Sequence, residues 1–159
     1  MNSDTQSERF SAADLAFWRP SSDCFAGEKL EDIVLHALSR SHSEPSILRV
    51  LPILLSNAAE ILDWKRLCEE AEKRSLGAEL GFITQLAGAL GGDARLASRV
   101  DSLVPAGRLN LRPYFPSRGA YSERLAAERT PPLARKWGFL MNMEEEVFRS
   151  AFEKHRAAI

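Results

Sequence analysis

Leu30, Ile33, Val34, Ala37 and Leu38 recur at the three- and four-residue spacing of one helical face, with Glu28, Glu31 and Asp32 at its start, where acids complement the helix dipole. The spacing predicts a helix over residues 28–41. After a polar break from Ser41 to Glu44, the residues Ile47, Leu48, Val50, Leu51, Ile53, Leu54 and Leu55 form the densest apolar run of the chain and mark its most buried element. Pro52 removes one amide donor from that run and should kink the helix or sit in its early turns. Asp63 is placed to cap a helix that buries Trp64, Leu67, Cys68 and Ala71 and wets Glu69, Glu70, Glu72, Lys73 and Arg74.

Beyond Gly77, the residues Leu80, Phe82, Ile83, Leu86, Ala87 and Leu90 predict a further helix, ended by Gly91 and Gly92. Gly81 and Gly88 leave room on it for a close neighbour, and fit tight packing better than catalysis. Asp93 then caps a helix carrying Leu96, Val100 and Leu103, stopped by Pro105 and Gly107. Before these elements, residues 1–10 read as a disordered tail, and Ser11 caps a short helix through Ala12, Leu15 and Trp18 that Pro20 stops.

The last third changes period. Leu109 and Leu111 alternate with Asn110 and Arg112, the two-residue repeat of a short strand. Trp137, Phe139 and Met141 alternate within residues 134–143, so that 108–112 and 134–143 are expected to pair as a small β-ribbon. Residues 118–129 hold a helix with Tyr121, Leu125 and Ala126, and 144–157 a final helix docked by Val147, Phe148, Ala151 and Phe152. Its leading Glu144, Glu145 and Glu146 and trailing Lys154, His155 and Arg156 match the helix dipole. The expected fold is mainly α: residues 11–159 as one domain, a multi-helix bundle or a short array of helical hairpins, with no repeat of fixed period.

Charge sharpens this picture in one place. Residues 99–137 carry eight bases against three acids, a net +5, while the residues before them sum to −5 and those after to −1. The same stretch holds five prolines with Tyr114, Phe115 and Tyr121, an irregular, arginine-rich and aromatic-bearing segment. Arg108, Arg112, Tyr114, Phe115, Arg118 and Tyr121 are its candidate partner-binding residues, combining forked donors with flat surfaces. Such a set suits a protein interface, or phosphates and unstacked bases of a nucleic acid. The alternative is that the arginines pair internally with Glu69, Glu70, Glu72 and Glu79. Exposed ion pairs contribute only about 0–1 kcal/mol each, so folding alone is a weak reason to concentrate arginines.

Catalytic and metal chemistry find little support in the pattern. His36, His42 and His155 are scattered and read as solvated or dipole-satisfying side chains; neither a His-Glu-x-x-His nor a Cys-x-x-Cys spacing occurs, and no glycine-rich loop ends in Lys-Ser or Lys-Thr. No metal or cofactor is therefore expected. Cys68, on the apolar side of its helix, reads as a buried free thiol, remote in sequence from Cys24. The polar residues 1–10 and the absence of an apolar run of about 18 residues point to a cytoplasmic protein without a membrane segment.

Three pieces in order, Leu80-Gly-Phe-Ile-Thr-Gln-Leu-Ala-Gly, Arg108-Leu-Asn-Leu-Arg-Pro and Arg135-Lys-Trp-Gly-Phe-Leu-Met-Asn-Met, make residues 64–143 similar to the C-terminal region of AbiEi-type antitoxins of type IV abortive-infection systems. Gly81 and Phe82 match the family's helical motif, and Trp137 and Asn142 its terminal one. In that family a winged helix binds the operator, the C-terminal region supplies antitoxin activity and the toxin is a nucleotidyltransferase. The first sixty residues here show no helix-turn-helix with a wing, so operator binding does not carry over. The resemblance implies a non-enzymatic partner domain. The expected function is accordingly a non-catalytic interaction protein, antitoxin-like or defence-associated, using a basic face; the alternatives are a nucleic-acid-binding accessory protein, or a subunit that completes an enzyme site with a partner.

Overall fold

The computed structural model describes residues 10–20, 28–105, 110–116 and 119–157. Among them run nine α-helices: α1 Ala12–Phe17, α2 Leu30–Ser41, α3 Pro45–Ala58, α4 Trp64–Lys73, α5 Gly77–Gly91, α6 Ala94–Ser98, α7 Ala120–Arg129, α8 Pro132–Lys136 and α9 Glu145–Ala157. One 3₁₀ turn, Asp101–Leu103, follows α6, and the two strands are β1 Arg112–Pro113 and β2 Phe139–Leu140. The mainly α reading holds. The 1–10 tail lies outside the described residues except for Phe10, which is buried.

α3 is the hub, packed by α1, α2, α5 and α9. Its apolar run explains this: Ile47, Leu48, Leu51, Leu54, Leu55 and Ala58 are all buried, on more than one side of the helix. Pro52 lies in mid-helix rather than in the early turns, while Pro45 occupies the first turn, where a missing donor costs nothing. The anticipated caps form. Ser11 and Asp14 exchange side-chain and backbone hydrogen bonds at 3.2 and 2.8 Å. Asp63 accepts from the Arg66 amide at 3.2 Å, and Asp93 from the amides of Arg95 and Leu96 at 3.0 and 3.2 Å. Gly92, at φ 66, closes α5 in the left-handed conformation.

The glycines of α5 buy proximity. At Gly81 the buried indole of Trp137 fills the space a Cβ would need. At Gly88 a Cβ would meet the Asp93 carbonyl oxygen at 2.8 Å and Ala97 at 3.0 Å, so α6 can fold back tightly onto α5. Trp137 is fixed in place by its Nε1–H, which donates to Gln85 at 2.9 Å. Cys68 is a buried thiol whose ionisation burial pushes up, and Cys24 lies outside the described residues.

The β-ribbon expected from 108–112 and 134–143 is corrected in extent. β1 and β2 pair parallel with Arg112 opposite Phe139 and Pro113 opposite Leu140. The amides of Arg112 and Tyr114 donate to Gly138 and Leu140 at 3.0 and 2.8 Å, so the residue between them, Pro113, needs no N–H. Residues 134–136 belong instead to α8, because Pro132 at the first helical position presets the turn and Arg135 and Lys136 suit its C-terminal end. Residues 106–109 lie outside the described residues.

Candidate interaction surface

The basic segment is fastened to the helical body through one polar node. Glu79, in the first turn of α5, is 3% exposed, yet its carboxylate is shared by two cations. One oxygen accepts from His42 Nε2 at 2.9 Å, and the other lies 3.5 Å from Arg112. His42, just past the end of α2, points its Nδ1 at the Tyr114 carbonyl oxygen at 2.8 Å. A carbonyl and a carboxylate both accept, so this pair of partners favours the form of His42 that carries a proton on each ring nitrogen. The Glu79 hydrogen bond is the main cause raising the His42 pKa above its ordinary value, against the opposing pull of burial. With both nitrogens engaged, the ring ties the end of α2 to the first turn of α5 and to the backbone of Tyr114.

Aromatic packing completes the fastening. The Tyr114 ring stacks on His42 at 4.2 Å and meets Phe139 edge-on at 4.9 Å. Ser41 donates its hydroxyl proton to the Leu38 carbonyl at 2.5 Å, which leaves the Tyr114 hydroxyl to donate to Ser41 Oγ at 2.6 Å. Burial pushes the Tyr114 phenol well above its usual range. Arg112 lies over the Phe139 ring at 5.1 Å while remaining 59% exposed.

The six sequence candidates therefore divide. Tyr114, expected to offer a flat contact surface, is 2% exposed and is an anchor instead. Phe115 is half-buried and packs on the core and edge-on to Tyr114 at 5.3 Å. Arg112 joins them but keeps an open face, and Tyr121 stands apart on α7, 72% exposed. Arg108 and Arg118 lie outside the described residues. His42 was hidden in a polar break and read as solvated; its only sequence signal is its place directly after a helix end. Glu79 was one of several acids offered to the arginines, although it alone opens an apolar helix.

α7 is the outlier among the elements. It spans ten residues and buries none of them. Its C-terminal end is bonded to the body, where the Thr130 hydroxyl donates to the Ala126 carbonyl and accepts from the Met141 amide at 2.9 Å. Arg135 donates to the Ala127 carbonyl, and Arg129 reaches Asn142 at 3.3 Å and Glu144 at 3.6 Å. Arg99 and Arg124 make no ion pair among the described residues. Val104, Leu111 and Tyr121, three of the six exposed large hydrophobics among the described residues, fall in this same basic segment.

Of the residues that carry the antitoxin resemblance, Phe82 and Trp137 are buried and Gly81 lies against Trp137, so these shape the core. Asn142 is exposed. No helix among the described residues is long and apolar enough to cross a membrane. No family model matches the chain, and no curated protein or solved structure matches it either.

Proposed function

We propose that this chain is a non-catalytic interaction protein that binds an acidic protein surface through α7 and the adjoining basic segment. The observation that carries this reading is a ten-residue helix with no buried residue, in a molecule whose other long helices are packed. A helix shorter than about 12 residues is marginal in water on its own, so a partner that covered α7 would stabilise it. Exposed Tyr121 and Arg124 supply the aromatic and guanidinium anchors that interfaces favour. The resemblance of residues 64–143 to AbiEi-type antitoxins supports a cytoplasmic, defence-associated role, with a nucleotidyltransferase toxin as the class of partner.

The test is affinity capture from source cells with wild type and the surface variants Tyr121→Ala and Arg124→Glu, each checked for native helicity by circular dichroism. Stoichiometric recovery of one protein by wild type and its loss from both variants is expected. Equal recovery by all three would remove α7 as the contact.

A further inference from the structure

A second surface lies away from the basic segment. α1 and α9 both pack on α3 and leave a trough between them of about 610 Å³, where the lining residues Phe17 and His155 meet edge-on at 4.9 Å. Its walls and floor are apolar: Ala12, Ala16 and Phe17 from α1, Val50 from α3, Val147 and Ala151 from α9. Phe17 is 58% exposed and Val147 is also open to solvent, so two of the exposed large hydrophobics among the described residues line one concave site.

We infer that this trough is a docking site for an acidic amphipathic helix of a partner protein. Shape supports a helix, because the α9 residues that line the wall, from Val147 to Lys154, span about 10 Å, or two helical turns, and the alanines on both sides let another backbone come close. Charge selects its sign. Arg49 and Lys154 border the trough against the single acid Glu146, and neither has an ion-pair partner among the described residues, while burial and the nearby Lys154 disfavour a charge on His155. The gradient along α9, from Glu146 to Lys154, also orients the guest: its positive N-terminal end faces Glu146 and its negative C-terminal end faces Lys154. Burying Phe17 and Val147 supplies the affinity, and the cations supply the choice of partner.

The experiment pans a displayed library of helical peptides against the full chain, then measures the enriched consensus peptide by fluorescence anisotropy. Enriched sequences are expected to share apolar positions three and four apart, flanked by Asp or Glu. Affinity should fall about tenfold or more in Ala13→Arg, which obstructs the trough from an exposed position, and in the double variant Arg49→Glu with Lys154→Glu. It should be unchanged in Tyr121→Ala, which separates this site from α7. No enrichment, neutral or basic flanks, or equal binding to Ala13→Arg would overturn the inference. So would a peptide-free dimer, seen by light scattering, that Ala13→Arg dissolves, since the occupant would then be a second copy.

Discussion

His42 is held by two acceptors and faces Glu79, the Tyr114 carbonyl and ring, Arg112 and Phe139; Glu79 attracts its proton and Arg112 opposes it. Because its folded pKa is raised, the stability it contributes is fully present below the ordinary value of 6.5 and is lost as the pH rises through the folded value. Thermal melts of wild type should therefore lose stability in the window above 6.5, and melts of His42→Gln should lack that loss. Parallel curves for the two proteins would show that the imidazolium does not couple to folding. Steric rather than electrostatic limits apply at Gly81. The indole it faces is buried and tied to Gln85, so it has no room to retreat. Gly81→Ala should cost about 2 kcal/mol by overpacking, despite the better helix propensity of alanine. A denaturant midpoint equal to wild type would mean that Trp137 swings aside.

α7 and α3 mark the two extremes of how an element is held. α3 was readable because its apolar density leaves no arrangement other than burial, and the caps of α1, α4 and α6 were readable because Ser and Asp act through bonds to amides two or three residues away. Local rules do not specify which distant group completes a site. Neither Glu79 nor His42 names its mate in the sequence, and the alternation of Trp137, Phe139 and Met141 marks β2 without showing that Pro132 begins a helix directly upstream of it. The same gap concealed the state of α7: its alanine, glutamate and arginine content predicts a helix but not the missing neighbour. Its amides should exchange with solvent far faster than those of α3 or α5, and slow when the partner is added. Hydrogen-exchange mass spectrometry reads this directly, and protection of α7 in the isolated chain as strong as that of α3 would contradict an open helix.

Across the molecule, the net +5 of residues 99–137 overstates the field available to a partner. Among the described residues, Arg112 and Arg129 lie against Glu79 and Glu144, while Arg135 and Lys136 turn to the Ala127 carbonyl and Gln85. Arg99 and Arg124 have no carboxylate partner among the described residues. Tyr114 is inside and Phe115 half-buried, which leaves Tyr121 as the open aromatic of the three. A nucleic-acid surface needs both a phosphate track and stacking platforms, and the described residues of this segment offer a thin version of each. Two phosphate contacts would give a salt slope of about −2, so any binding to labelled single-stranded or duplex oligonucleotides should be weak and fall only about tenfold over a fourfold rise in salt. A protein interface centred on Tyr121 and Arg124 draws on apolar burial as well as charge, and salt screens only the charge, so its affinity should fall by less than tenfold in the same titration. Tight oligonucleotide binding with a slope several times steeper would transfer the basic segment from protein to nucleic acid.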